Sequence, residues 1–103
     1  MEESKKQPVY YVVFVSLKYK SFEEAKAKAP DQIAAHLARS RELHQQGSLL
    51  MSGAFLDKTG EPLSTMAVLS SRSAAEEYIH GDPFFKNGMF SNWYIREWAN
   101  MFA

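Results

Sequence analysis

Cysteine is absent from the 103-residue sequence. This absence excludes disulfide bonds, thiol nucleophiles and thiolate metal sites together. An excess of either charge is also lacking, because 12 lysines and arginines balance 12 aspartates and glutamates. We therefore expect neither nucleic acid nor an anionic membrane as a partner. No apolar run reaches the roughly 18 residues of a membrane-spanning helix.

The chain has the length of one domain with one hydrophobic core, and we expect a single domain over residues 1–103. Its aromatic content of 14% is high for so short a sequence. The charged residues 1–8 are expected to form a flexible N-terminus. A protein without cysteine is compatible with the cytoplasm, which is the location we expect.

Apolar patterning predicts four strands and two main helices. "VYYVVFVSL" (9–17) has no polar alternation, which is typical of a strand buried on both faces. A short helix is expected after Ser21, a long helix from Pro30 to Gly47, and strands over 48–56 and 62–70. Ser73 and Glu76 predict a capping box for a helix that ends at Gly81, before a last aromatic strand.

This β-α-β-β-α-β order predicts a ferredoxin-like α+β sandwich. Two helices can cover only one face of a four-stranded sheet, yet the first strand is apolar on both faces. The last strand also carries aromatic residues in both directions, with Trp93 and Ile95 on one face and Tyr94 and Trp98 on or near the other. Such a surface is unusual in a monomer, so we expect a homodimer formed sheet to sheet.

Three histidines are the first candidates for chemistry. His36 and His44 are two helical turns apart, too far to chelate one metal ion as an i, i+4 pair does, and His80 lies on another element. No carboxylate spacing completes a site, so we expect no metal and no other cofactor. His44, near a helix end, has a simple structural interpretation through the helix dipole.

The segment "HGDPFFKNGMF" (80–90) has two interpretations. Asp82 followed by Pro83 is typical of a helix N-cap with proline at the first helical position, closed here by Gly88. Phe84 and Phe85 would then pack this turn onto the sheet. Alternatively, the segment is one wall of a ligand pocket.

The chain resembles the YCII-related (YciI-like) family of small dimeric α/β-barrel proteins. The resemblance lies in "HLARSRELHQQGSLLMSGAF" (36–55), "SSRSAAEEYIHGDPFFKNGMF" (70–90) and "IREW" (95–98). In order, the matching positions are His36-Leu37, Gly47, Gly53, a helix ending at Ile79, Asp82-Pro83-Phe84 and Gly88. Relatives often have an arginine shortly before the histidine, where this chain has "DQIAA".

The resemblance implies one YCII-like domain, a sheet-to-sheet homodimer, and an active site in which His36 and Asp82 approach each other. A histidine held by a carboxylate suits a general base, so the expected reaction is proton abstraction beside a carbonyl, as in a lyase or isomerase. One branch of the family acts on hydroxylated or chlorinated rings, which implies an aromatic-lined pocket. The residues expected to bind substrate are Gly53, Pro83, Phe84, Phe85, Tyr10 and Phe14.

Three functions remain open from the sequence. The first is a small enzyme with a His36–Asp82 site and an unknown small-molecule substrate. The second is a ligand-binding or accessory module that uses the same cleft without turnover. The third is a structural interaction domain in which Asp82 is only a helix cap and the aromatic residues are only core.

Overall fold

A computed structural model describes residues 8–102 of the chain. The flexible segment predicted for residues 1–8 therefore falls, apart from Pro8, outside the described residues. The elements follow the predicted order, with short helices at both predicted positions: β1 (Val9–Leu17), α1 (Phe22–Lys28), α2 (Pro30–Gln45), β2 (Leu49–Ala54), β3 (Ser64–Leu69), α3 (Arg72–His80), α4 (Pro83–Lys86) and β4 (Phe90–Ala99).

The four strands form one antiparallel sheet in the order β2-β3-β1-β4. The predicted ferredoxin-like α+β fold class is thus confirmed. β1 lies in the middle of the sheet and is bonded along its length to β3 on one side and β4 on the other. This central position explains why the first strand has apolar residues in both directions.

Alternation along β1 divides its side chains between two different environments. Val13, Val15 and Leu17 point towards the helices and are almost fully buried. Tyr10 and Phe14, at even-numbered positions, lie on the opposite surface of the sheet. No helix covers that surface in the described chain, and we call it the open face. On that face Phe14 stacks on Tyr94 of β4, with ring centroids 5.0 Å apart.

Local signals set the ends of the first two helices. The Ser21 hydroxyl accepts a hydrogen bond from the Glu24 amide at 3.0 Å, as the predicted N-cap of α1 should. Pro30 occupies the first turn of α2, where its missing N–H costs nothing. Gly47 follows the end of α2 with φ at +87°, a left-handed conformation that glycine adopts without strain.

The predicted cap of α3 was wrong by two residues. Ser71, not Ser73, is the N-cap, and its hydroxyl accepts a hydrogen bond from the Ala74 amide at 3.1 Å. Ser73 already lies inside the first turn, and Glu76 instead forms an exposed ion pair with Arg72. Ser73 and Glu76 have the spacing of a capping box, but Ser71 lies two residues earlier. Only the backbone geometry shows which of the two serines is the N-cap.

One core fills the space between the sheet and the helices. Its largest almost fully buried side chains are Leu17, Leu69, Ile79 and Val13, together with one polar residue, Asp82. Within residues 8–102, no helix is both long and apolar enough to cross a membrane.

Candidate active site

Asp82 is placed by the short connection between α3 and α4. It is the N-cap of α4, and its Oδ1 accepts a hydrogen bond from the Phe84 amide at 2.8 Å. Pro83 at the first helical position has no N–H and holds its φ near the helical value, so the carboxylate bonds the next amide along. Asp82 is only 1% exposed, which makes its second oxygen a buried acceptor that needs a partner.

His36 on α2 is that partner. Its Nδ1 lies 2.9 Å from Asp82 Oδ2, and its ring stacks on Phe84 with centroids 4.1 Å apart and planes 13° from parallel. A carboxylate only accepts hydrogen bonds, so Nδ1 carries the ring proton and donates a hydrogen bond to Asp82. In the neutral ring, a proton on Nδ1 leaves the lone pair on Nε2, which none of the described contacts of His36 engages.

Both residues line a cavity of about 230 Å³ between α2, α4 and the sheet. Its walls are mainly apolar, and its polar groups come from His36, Asp82, Tyr78 and two strand residues, Ser52 and Thr65. No lysine or arginine is among the described residues that line it. The remaining lining residues are Val15, Leu17, Phe22, Leu37, Gly53, Ala54, Leu63, Met66, Phe84 and Phe90.

Tyr78 of α3 brings a phenol to the same cavity. Burial, with a smaller contribution from the negative charge of Asp82, raises the pKa of Tyr78 to about 12. The positive charge of Arg39 and the hydroxyl of Ser40 act on this pKa in the opposite direction. The phenol therefore stays protonated throughout the physiological range and remains a hydrogen-bond donor.

The structure gathers only part of the predicted site. Gly53 and Phe84 line the cavity beside His36 and Asp82. Pro83, the first residue of α4, and Phe85 are not among the residues that line it. The Phe85 ring instead packs nearly perpendicular to the rings of His80 and Trp93.

Tyr10 and Phe14 are not at this cavity, which corrects the prediction that they share its wall. They lie on the open face, where Tyr10 packs near Trp98 with ring centroids 6.1 Å apart. The physical reason is strand alternation: the residues of β1 that face the cavity are Val15 and Leu17.

Several residues of the cavity were not predicted from the sequence. Tyr78 had a usable signal, because it lies on the buried side of α3 with Ala75 and Ile79, and a buried hydroxyl needs a partner. Phe22 and Leu37 are partly exposed where they border the cavity, at 36% and 42%, and nothing in their local pattern separates them from ordinary surface residues.

Across residues 8–102, no three histidine, aspartate or glutamate side chains are grouped as a metal site would require. His44, the second histidine of α2, has a structural contact. Its Nδ1 donates a hydrogen bond to the Leu49 carbonyl at 2.9 Å and so ties the end of α2 to the start of β2.

Comparison with solved structures identifies the same fold elsewhere. One match is 5-chloro-2-hydroxyhydroquinone dehydrochlorinase from Burkholderia phenoliruptrix AC1100, in complex with 2,5-dihydroxybenzoquinone, at 20% identity and a TM-score of 0.65, covering 88% of this chain and 94% of that one. A protein of unknown function from Nitrosomonas europaea matches at 12% identity and a TM-score of 0.53, covering 95% of this chain and 93% of that one. A Pseudomonas aeruginosa protein matches at 14% identity and a TM-score of 0.52, covering 92% of this chain and 95% of that one.

None of the curated proteins matches the sequence. The model of the YCII-related domain matches residues 10–99, nearly the whole of the described chain. This match confirms the resemblance inferred from the histidine, the Asp-Pro-Phe segment and the aromatic end. The chain belongs to the family of YCII-related domains.

Proposed function

We propose that His36 and Asp82 form the active site of a small enzyme, in which His36 is a general base acting on an oxygen-bearing ring or carbonyl compound. The observation that carries this proposal is the 2.9 Å contact between His36 Nδ1 and a buried Asp82 carboxylate in the wall of a cavity. A purely structural cap would need only one of the two carboxylate oxygens.

The arrangement supports base chemistry through the tautomer of His36. Asp82 holds the proton on Nδ1, which leaves the Nε2 lone pair to accept a proton from a substrate. The carboxylate also stabilises the imidazolium that forms when Nε2 accepts that proton. Asp82 is itself held by the Phe84 amide, so the pair is already oriented before a ligand enters.

The size and polarity of the cavity favour a single substituted ring. A cavity of about 150 Å³ can hold benzene, so 230 Å³ leaves room for a ring with a few substituents. The Tyr78 phenol is a donor suited to a carbonyl or phenolic oxygen. Since no lysine or arginine is among the described lining residues, the protomer offers no fixed cation for a carboxylate or phosphate group.

The dehydrochlorinase with the same fold supports this choice of chemistry. Its name describes the removal of hydrogen and chloride, and its structure holds an oxygenated six-membered ring. For this chain we propose the corresponding class of reaction, proton abstraction followed by elimination or isomerisation. Without turnover, the same cavity would serve the alternative function of a ligand-binding module.

We also propose that two chains associate through their open faces. Four exposed or half-exposed aromatic residues are paired there, Tyr10 with Trp98 and Phe14 with Tyr94. A second copy would cover these rings with an identical surface, as a twofold dimer requires. The site itself would remain on the helical side of each sheet.

Thermal unfolding in the presence of ring compounds tests the proposed function. Hydroquinone, catechol and 2,5-dihydroxybenzoquinone are suitable probes, and cyclohexane-1,4-diol is a control of similar size without an aromatic or quinone ring. A ligand at a hundredfold excess over its Kd stabilises the native state by about 2.7 kcal/mol. We expect at least one probe to stabilise the wild type and to have a smaller effect on His36→Gln. Equal effects on both proteins would contradict binding at this site.

Turnover separates the enzyme from the binding module. For a probe that binds, proton abstraction should exchange a ring or α-hydrogen with solvent deuterium, which NMR detects without knowledge of the final product. We expect exchange with the wild type and its loss in His36→Gln. Binding without catalysed exchange or conversion would favour the binding module.

A further inference from the structure

A second contact joins α2 to the end of α3, one helical turn beyond His36. Arg39 donates two hydrogen bonds to backbone carbonyls of the last turn of α3, from Nη1 to Tyr78 at 3.0 Å and from Nη2 to Glu77 at 2.8 Å. The Asp82 amide, four residues after Tyr78, bonds to the Ile79 carbonyl instead, whereas the Glu77 carbonyl also accepts from the Gly81 amide at 2.9 Å. A cation at the end of a helix also complements the helix dipole.

Gly81 makes room for this guanidinium. A Cβ at position 81 would lie 2.5 Å from Arg39 Nη2 and 2.9 Å from its Cζ, closer than side chains ever approach. The φ of Gly81 is −90°, which any residue can adopt. A side chain here would have to displace the guanidinium, so the observed position of Arg39 depends on glycine at position 81, whereas the backbone angle does not require it.

We propose that Arg39 and Gly81 form a guanidinium clamp that positions Asp82 against His36. Each half of the clamp is attached to one member of the pair. Arg39 lies one turn from His36 on α2, and Gly81 directly precedes Asp82. Arg39 is a positioning residue, because it is not among the residues that line the cavity.

The geometry of the pair explains the need for such a clamp. The His36–Asp82 bond joins two separate helices, and a displacement of about 1 Å between them would lengthen a 2.9 Å hydrogen bond beyond useful range. A guanidinium donates from two nitrogens in a rigid plane, so it fixes both the distance and the angle between α2 and the end of α3. Lysine could fix only the distance.

The clamp rests on the proposed function only for its effect on catalysis, because the tautomer of the His36 ring can be measured without a substrate. Asp82 from the α4 cap bonds to that ring, and the Tyr78 phenol of α3 interacts with the charges of both Asp82 and Arg39. Loss of the Asp82 contact removes the acceptor that holds the proton on Nδ1, so the neutral ring no longer has one fixed tautomer. Loss of the Arg39 charge alone leaves that acceptor in place.

This difference gives the test. The protonation of Nδ1 and Nε2 in the neutral His36 ring is followed by ¹⁵N NMR in wild type, Asp82→Asn, Arg39→Gln, Arg39→Lys and Gly81→Ala. Arg41→Gln, an exposed position two residues further along α2, is the matched charge control. We expect Arg39→Gln and Gly81→Ala to lose at least half as much of the Nδ1–H form as Asp82→Asn loses.

Arg39→Lys should lose less of the Nδ1–H form, and it keeps the charge if Arg39→Gln does not fold. The Arg41→Gln control should leave the ring unchanged. A folded Arg39→Gln, Gly81→Ala or Arg39→Lys with the wild-type tautomer would overturn the clamp. Failure of the wild type to bind any ring compound would count against the proposed function and leave this readout of the clamp intact.

Discussion

The two faces of the sheet use aromatic residues in different ways. On the helical face, Phe84 stacks on an imidazole that is hydrogen-bonded to a buried carboxylate. On the open face, aromatic rings pair only with each other across neighbouring strands, as Phe14 does with Tyr94. The helices cause this difference, because α2 and the α3–α4 connection bring the imidazole of His36 and the carboxylate of Asp82 to this face.

This comparison separates residues that build a site from residues that build a surface. A buried carboxylate is costly unless it is fully hydrogen-bonded, so Asp82 on the helical face depends on both His36 and the Phe84 amide. Rings on the open face need only to be covered. Substitutions on the open face should therefore change the association of two chains. Substitutions on the helical face should change the protonation of the His36–Asp82 pair.

The largest effect is expected on the open face. Trp98 and Tyr94 are each 47% exposed in the protomer, so Trp98→Glu or Tyr94→Glu should leave the isolated fold intact. In a sheet-to-sheet dimer the new charge would be buried without a partner, at a cost of about 4 kcal/mol, which is about a thousandfold in the dissociation constant.

Sedimentation should report twice the chain mass for the wild type and the single mass for these variants. Ala38→Glu, on an exposed position of α2, adds the same charge elsewhere and should remain dimeric. A monomeric wild type at micromolar concentration would eliminate the proposed dimer.

The second effect concerns alkaline stability on the helical face. The pKa of Tyr78 is about 12 when folded and close to the ordinary value of 10 when unfolded, chiefly because of burial. Its contribution is fully present below pH 10 and is lost as pH rises from 10 towards 12, since the unfolded chain releases the proton first. Two units correspond to a loss on the order of 2 to 3 kcal/mol.

Urea unfolding at several pH values between 9 and 12 measures this loss of stability. Tyr78→Phe should lose less stability over that range than the wild type, whereas Tyr19→Phe, a half-buried tyrosine after β1, should follow the wild type. Parallel curves for wild type and Tyr78→Phe would show that the phenol is not buried as described.

The smallest expected effect on stability is at His36. Its side chain is 18% exposed and borders a cavity, and glutamine keeps an N–H donor for the buried Asp82 carboxylate, so His36→Gln should cost about 1 kcal/mol, the scale of one hydrogen bond. His44→Gln, which removes the hydrogen bond to the Leu49 carbonyl, is the matched variant and should cost a similar amount. If His36→Gln failed to fold while His44→Gln folded, His36 would be a core residue and the site assignment would be wrong.

Much of the fold was predictable because its signals are local. Ser21 and Pro30 mark helix starts, Gly47 marks a helix end, and Asp82-Pro83 marks the start of α4 through a side chain that caps its own backbone. Each depends on residues a few positions apart. The order of strands then follows from the small number of ways in which such elements pack.

The rest depends on which residues meet across the fold. A strand that is apolar in both directions does not reveal which side faces the helices, so Tyr10 and Phe14 were placed at the wrong surface. The position of Arg39 over Gly81 is equally hidden, because the approach of α2 to α3 is set by packing of the whole core. No local pattern in "HLARS" distinguishes that arginine from a surface charge.

The tautomer of the neutral His36 ring, followed by ¹⁵N NMR in wild type and Asp82→Asn, tests the central claim most directly. Asparagine caps a helix about as well as aspartate, so an Asp82 that were only a cap would lose only a few tenths of a kcal/mol on this substitution. Asp82 also accepts the hydrogen bond of His36 Nδ1 in this account, so the substitution should abolish the fixed Nδ1–H tautomer and any catalysed exchange. An unchanged tautomer would contradict the account and would leave Asp82 as a helix cap and the phenylalanines as packing.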